Sequence, residues 1–439
     1  MIERALHSAR PSADDLSCLF DPGWLLPAPS PELTQFTSVS SIGVTDLGTY
    51  RGRTLRLLDL MRNPATRTTK TLPSLVIVAR AVRYIHDTGE PIMIVTPSSA
   101  NKATALRDAV YRAITSGLVS PGQLKITTVV PPGSSSKLWL SPLSADPDLR
   151  DRNPMVLYGG NEPADVKVIA QEFTESCAAA FHERYRVNLW YTLSLDNYRP
   201  ADTARAYFER EFLPRPDPPG RLHVHAVSSA FGLLGHNFGH LLCGEDVPLP
   251  RYFLVQHLGA PDMVLSLHYG DTDLRHMPRY SYDKVAGLHC QDADPRFPSS
   301  TLSLDEVLDS TFYTRQPSTS AEMNDIIHAR GGGGIVVSLH ECLNRYGQAR
   351  ALLANSDIDL PSDPRLLREW SLVMALTGTL NAIDRDLIDR DEDILVHGSG
   401  CYSVNDFLPL PADHMSSVTG VSGLAEAVSN AIERDAAAC

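Results

Sequence analysis

What most constrains this chain is the regular exchange of short apolar runs with stretches of helical spacing. PIMIVTP at 91–97, LKITTVVP at 124–131, MVLYGG at 155–160, RLHVHAVSS at 221–229, RYFLVQHLG at 251–259 and DILVHGSG at 393–400 read as strands. PIMIVTP, a short apolar run bounded by prolines, has the pattern of a strand buried on both faces. Between them, TLPSLVIVARAVRYIHDTG at 71–89 carries Leu75, Val76, Val78, Ala79 and Val82 at helical spacing. KATALRDAVYRAITSGL, ADVKVIAQEFTESCAAAFHERY and AFGLLGHNFGHLLCG continue the series. Strands that alternate with helices predict an α/β fold with mostly parallel sheets covered on both faces. At 439 residues the chain exceeds what one core usually serves, so two domains or one large interlocked α/β unit are expected. The expected division is an N-terminal arm over 1–45, a larger domain over 46–90 and 205–405, a smaller domain over 91–204, and a C-terminal tail over 406–439. The polar stretch 269–320 reads as an insertion that covers a site. DPRLLREWSLVMALTGTLNAI, 363–383, reads as one long amphipathic helix.

A formal net charge of −13 argues against a nucleic-acid partner, which needs a basic face. It leaves room for a small anionic ligand held by backbone N–H groups. The seven cysteines, among them Cys18 and Cys439, include no CxxC pair and read as reduced thiols in the cytoplasm. No run approaches the roughly 18 apolar residues of a membrane span, and the first 15 residues lack the apolar core of a signal peptide. His236 and His240 stand four apart, with His223 and His225 just before them. No glutamate follows His236 as a zincin helix requires, so no metal is expected. The glycines at 331–334 lack a P-loop's Lys-Ser/Thr, and there is no G-x-S-x-G elbow. Arg62 and Arg67 are candidates to meet an anionic substrate.

Three loops point to one chemistry. NPATRTTK, 63–70, is a polar turn ending in Lys70 at a helix start, where neighbouring positive groups favour a neutral, nucleophilic amine. TPSSANKATAL, from Thr96, places Ser98, Ser99, Ala100 and Asn101 at a helix N-terminus suited to a carboxylate. HAVSSAFGLLGHNFG places Ser228, Ser229, Ala230, Phe231 and Gly232 between a strand and a helix, as an anion loop requires. In order and spacing over roughly residues 40–405, these segments resemble the pyridoxal 5′-phosphate (PLP) enzymes of fold type II, the threonine synthase, cysteine synthase and cystathionine β-synthase group. The chain resembles a divergent member. Ala100 stands where the family has glycine, and Phe231 where it has a small residue.

The resemblance implies two doubly wound, mostly parallel-sheet domains with the cofactor cleft between them, PLP as cofactor and Lys70 as the Schiff-base lysine. It implies that Asn101 meets the ring hydroxyl and that residues 98–101 seat the substrate carboxylate. The 228–232 loop would take the phosphate. HGSG at 397–400 resembles the strand end that meets the pyridine nitrogen, with Ser399 and His397 as the two candidates. The expected activity is β- or γ-elimination or replacement on an amino acid, in secondary metabolism. Deamination or racemisation on the same fold, or a binding protein without catalysis, are the alternatives. Family resemblance also implies a homodimer.

Overall fold

The structure is a computed structural model and describes residues 1–9, 19–160, 162–217, 220–244, 248–312, 314–389 and 392–437. Cys18 and Cys439 lie outside the described residues, as do parts of the expected arm and tail. In chain order the strands are β1 (Gly43–Tyr50), β2 (Arg53–Asp59), β3 (Ile92–Pro97), β4 (Leu124–Val130), β5 (Met155–Tyr158), β6 (Asn188–Tyr191), β7 (Leu222–Ala226) and β8 (Arg251–His257). There follow β9 (Ser281–Asp283), β10 (Leu288–Cys290), β11 (Ser300–Thr301), β12 (Gly332–Val337), β13 (Leu367–Glu369), β14 (Asp393–Gly398), β15 (Tyr402–Ser403) and β16 (Met415–Val418).

Two sheets carry the fold. The larger has the order β1-β2-β14-β7-β8-β12, parallel except for the β1–β2 hairpin at its edge. The smaller has the order β16-β5-β4-β3-β6 and is parallel throughout. Every residue of β3, β4, β7 and β8 is buried. That matches the helices on both faces, although β4, β7 and β8 bury polar side chains as well, Lys125, His223, His225 and Gln256 among them. The helices Leu339–Leu352 and Ser371–Asp384 close one face of the larger sheet around Val224, Val255, Ile335 and Val396. On the smaller sheet, the helices Thr71–Thr88 and Asn101–Thr115 cover one face, and Asp165–Tyr185 and Val421–Ala437 the other.

Several segments differ from the sequence expectation. β1 begins at Gly43, inside the expected arm. The helix Thr71–Thr88 follows a larger-sheet strand yet packs on the smaller sheet through Leu75, Val78 and Val82. The expected tail adds β16 beside β5 and a closing helix, so it completes the smaller layer. The stretch 363–383 is broken: a 3₁₀ turn at Pro364–Leu366 leads into β13, which pairs with β15, and the helix starts only at Ser371. The physical cause is Glu369, fully buried, whose carboxylate holds Asn101, Lys137 and the Ser371 amide instead of facing solvent. Within 269–320, β9, β10 and β11 form a small antiparallel sheet.

Candidate active site

Carboxyl ends of β2, β3, β7 and β14 face one another, as ligand sites in open α/β sheets require. They border a cleft, among whose lining residues are Lys70, Ser99, Asn101, Gly232 and Ser399. The sequence-predicted residues Ser98, Ser228, Ser229, Ala230 and Phe231 line it too. His397 is absent from the lining: it is fully buried, its ring packed against His223 and His236. Ala100 is also fully buried. Arg62 and Arg67 stand outside the cleft, in ion pairs with Asp357 and Asp406.

The Lys70 loop is held by backbone and hydroxyl contacts. Thr69 N and Thr68 Oγ1 both donate to the Ser399 carbonyl, at 2.9 and 3.1 Å. Asn63 Nδ2 donates to Asp108 on the helix Asn101–Thr115 at 2.9 Å, tying the two loops together. Lys70 is the N-cap of the helix Thr71–Thr88 and projects over the Tyr198 ring, 5.5 Å from its centroid. Burial pushes its ammonium below the ordinary value, the Asp202 carboxylate opposing and Arg205 adding to the shift.

Opposite stands the loop 98–101. Ser98 Oγ accepts from the amides of Ala100 and Ala103, at 3.1 and 2.8 Å, and so caps the helix from within. Ala100 has φ +112°, a conformation suited to glycine and strained for alanine. Asn101 Nδ2 donates to Glu369 and its Oδ1 accepts from the Tyr402 hydroxyl at 2.8 Å. Its orientation is therefore set before any ligand arrives.

The third loop holds Ala230 at φ +51° just before the helix Phe231–Cys243. The first amides of such a helix have no partner within it and suit an anion. Phe231, unexpected in this place, leans its ring on Tyr198 at a centroid distance of 5.5 Å.

Sequence reasoning missed four cleft residues. Arg205 bonds Thr69 Oγ1 at 2.9 Å and Asp202 at 2.6 Å, directly beneath Gly232. A Cβ on Gly232 would come within 2.3 Å of its guanidinium. Lys102, Tyr198 and His225 are buried around the cleft, and among the described residues Lys102 Nζ, Tyr198 Oη and both His225 ring nitrogens have no hydrogen-bond partner. Burial, with Lys70 nearby, pushes the Lys102 ammonium well below its ordinary value, and burial pushes His225 well down likewise. Lys102 was in plain view beside Asn101. Arg205 lay in TARAYFEREFL, where nothing local marks it as facing the cleft.

The sequence matches a family of unknown function, DUF6002, over residues 1–432. The chain belongs to that family. No curated protein matches the sequence. Among solved structures, the chain is similar to the PLP-bound threonine synthase from Brucella melitensis, with 12% identity over 91% of this chain and 83% of that one and a TM-score of 0.54. It is likewise similar to threonine synthase from yeast, with 13% identity over 93% and 84% and a TM-score of 0.53. The α/β architecture of this DUF6002 chain is therefore that of fold type II. No helix among its described residues is long and apolar enough to cross a membrane.

Proposed function

We propose that this protein is a PLP-dependent enzyme that carries out β- or γ-elimination or replacement on an amino acid. The observation that carries the reading is the placement of Lys70: a desolvated amine at the junction of two parallel sheets, facing Asn101 on one side and the 228–232 loop on the other. The unpartnered polar atoms of the cleft support the fit. Ser399 Oγ, Tyr198 Oη and Lys102 Nζ are buried without hydrogen bonds, a cost that a polar ligand relieves. Arg205 brings a guanidinium to the cleft for an anionic cofactor.

When bound, PLP supplies an aldehyde for an amine and a ring that draws electrons from the substrate's α-carbon. Lys70 provides the amine and, once released, takes the α-proton on Nζ. The helix N-terminus behind Ala100 and the Ser99 hydroxyl seat the substrate carboxylate. Asn101 Nδ2 keeps a second hydrogen for the ring hydroxyl while its first goes to Glu369. Ser229, the amides at 230–232 and Arg205 receive the phosphate. Ser399 gives the ring nitrogen a neutral partner, which favours elimination and replacement. The same reading takes the working unit as a homodimer in the cytoplasm and the pathway as secondary metabolism.

The purified protein, incubated with PLP, should show a visible band at about 410–430 nm that borohydride removes. The Lys70→Ala variant should lack that band. An unchanged spectrum in the variant, or a folded wild type that never gains the band, would refute the assignment. Product analysis on candidate amino acids then separates elimination or replacement from deamination and racemisation, and from binding alone.

A further inference from the structure

Behind the 228–232 loop lies a buried group of side chains that the cleft chemistry does not use. His236 and His240 are one turn apart on the helix Phe231–Cys243, so both rings leave the same face. β7 contributes His223, and the helix Ala204–Phe212 contributes Glu209. Glu209 Oε2 lies 2.9 Å from His236 Nε2, 3.1 Å from His240 Nε2 and 3.6 Å from His223 Nε2. The two helix nitrogens are 3.2 Å apart. All four residues are buried.

These separations are those of donors around one ion. Metal–ligand bonds near 2.1 Å in a tetrahedron place ligand atoms about 3.4 Å apart. The charge of Glu209 is already met by Arg221, which pairs with Oε1, so the carboxylate does not need the histidines as counter-charges. Metal-bound imidazoles use their outer nitrogen on a second partner. His236 Nδ1 has the Tyr252 hydroxyl at 2.8 Å.

We propose that Glu209, His236 and His240 bind a divalent transition-metal ion, zinc by preference, with His223 as the fourth group around it. The set of imidazole nitrogens and one carboxylate suits zinc and its neighbours, and lacks the oxygen count of calcium or magnesium sites. His223 plays a distinct part. Arg205 can only donate, so His397 accepts from it on Nδ1 and passes its Nε2 proton toward His223 Nδ1. His223 then carries its own proton on Nε2, toward Glu209, and stands beside the ion as a hydrogen-bond donor to that carboxylate, not as a ligand. Glu209 and His240 also line a surface pocket of about 560 Å³ beside Cys243, which offers the ion a way in. The ion would clamp β7 and the helices on either side of it, the elements that hold both ends of the 228–232 loop. The zincin pattern fails here because Asn237, not a glutamate base, follows His236, and the acidic ligand comes from the preceding helix.

The test is on the full-length protein. After dialysis against metal-free buffer, elemental analysis should find about one zinc per chain. The chelator-stripped protein, titrated with Co²⁺, should develop visible d–d bands of four-coordinate intensity that saturate near about one equivalent. Zn²⁺ should displace that cobalt and raise the thermal midpoint. His240→Ala and Glu209→Gln should lose the bands. If a variant fails to fold by circular dichroism, the wild-type cobalt titration decides alone. A folded wild type with no zinc and no cobalt bands overturns the site, as do bands that persist unchanged in folded variants. None of these readouts requires PLP, so failure here is separate from failure of the cofactor reading.

Discussion

Asn101 Nδ2 donates to Glu369 Oε2 at 2.6 Å, joining residues 268 positions apart across the cleft. The same carboxylate oxygen accepts from Lys137 Nζ at 2.7 Å. Glu369 therefore couples the orientation of a cleft amide to a buried cation. In Glu369→Gln the amide oxygen can keep both donors only by turning its NH2 onto the Ser371 N–H, and Lys137 loses half of its counter-charge. We expect a loss of about 3 kcal/mol. Urea unfolding should show a lower midpoint at unchanged slope. A variant within 0.5 kcal/mol of wild type, on the order of a surface change, would contradict the coupling.

Lys137 stands between two buried carboxylates, Asp309 at 2.8 Å and Glu369. Burial alone would push its ammonium down, but the two carboxylates outweigh burial and hold it above its ordinary value. Asp309 is held below its ordinary value: burial raises it, and the Lys137 charge and hydrogen bond more than compensate. The raised lysine stabilises the fold below its unfolded pKa, and the effect is lost only as pH climbs through the folded value. The lowered aspartate stabilises above its unfolded pKa, and that is lost as pH falls through the folded value. Across neutral pH both are present. Lys137→Met leaves two buried carboxylates without a cation and should cost about 3–5 kcal/mol at pH 7. Asp309 then loses the charge that held it down, so the gap to wild type should narrow as the pH is lowered toward 5. A gap independent of pH in urea melts would count against this account.

The legible part of the site was local. Lys70, Asn101 and the 228–232 loop each follow a strand end or open a helix, and such junctions announce themselves by polar turns inside apolar runs. What stayed hidden was built by long-range burial. Lys137 meets Asp309 and Glu369 across 172 and 232 residues, and a charged residue read in sequence is assigned to solvent by default. The same default kept 363–383 as one helix, since nothing local says that Glu369 turns inward. β16 was missed because MSSV has little apolar pattern, its strand identity coming from the β5 edge it pairs with. Burial of Glu209 likewise concealed the third donor beside His236 and His240.

Gly232 and Arg205 form a second testable pair. A methyl group on Gly232 would meet Arg205 Nη2 at 2.3 Å, and the guanidinium is fixed by Asp202 and Thr69, so it has little room to yield. Gly232→Ala should cost about 1–3 kcal/mol by overpacking. In an Arg205→Ala background the same substitution should cost much less, a coupling of at least about 1 kcal/mol in a double-mutant cycle. Additive penalties would show that the glycine is there for another reason. PLP retention measured across the four proteins should follow the position of the guanidinium.

Lys102 should be a residue kept at the expense of stability. Its Nζ is buried without a hydrogen-bond partner, and its nearest attraction is the face of Tyr198, 5.4 Å from the ring centroid. Burial and the neighbouring Lys70 push the ammonium well down. The folded chain thus binds fewer protons here than the unfolded chain between the two pKa values, so this group makes wild-type stability rise with pH in that window. Lys102→Met keeps most of the volume and removes the buried amine. The ligand-free variant should be more stable than wild type at pH 7 by about 1–2 kcal/mol. Because the wild type recovers as the amine loses its proton in the unfolded chain too, the difference should close as pH approaches about 10. Urea midpoints at pH 7, 8, 9 and 10 measure this directly. A Lys102→Met protein less stable than wild type, or an offset that does not change with pH, would mean that the amine is solvated or paired, and that its place beside Lys70 is structural.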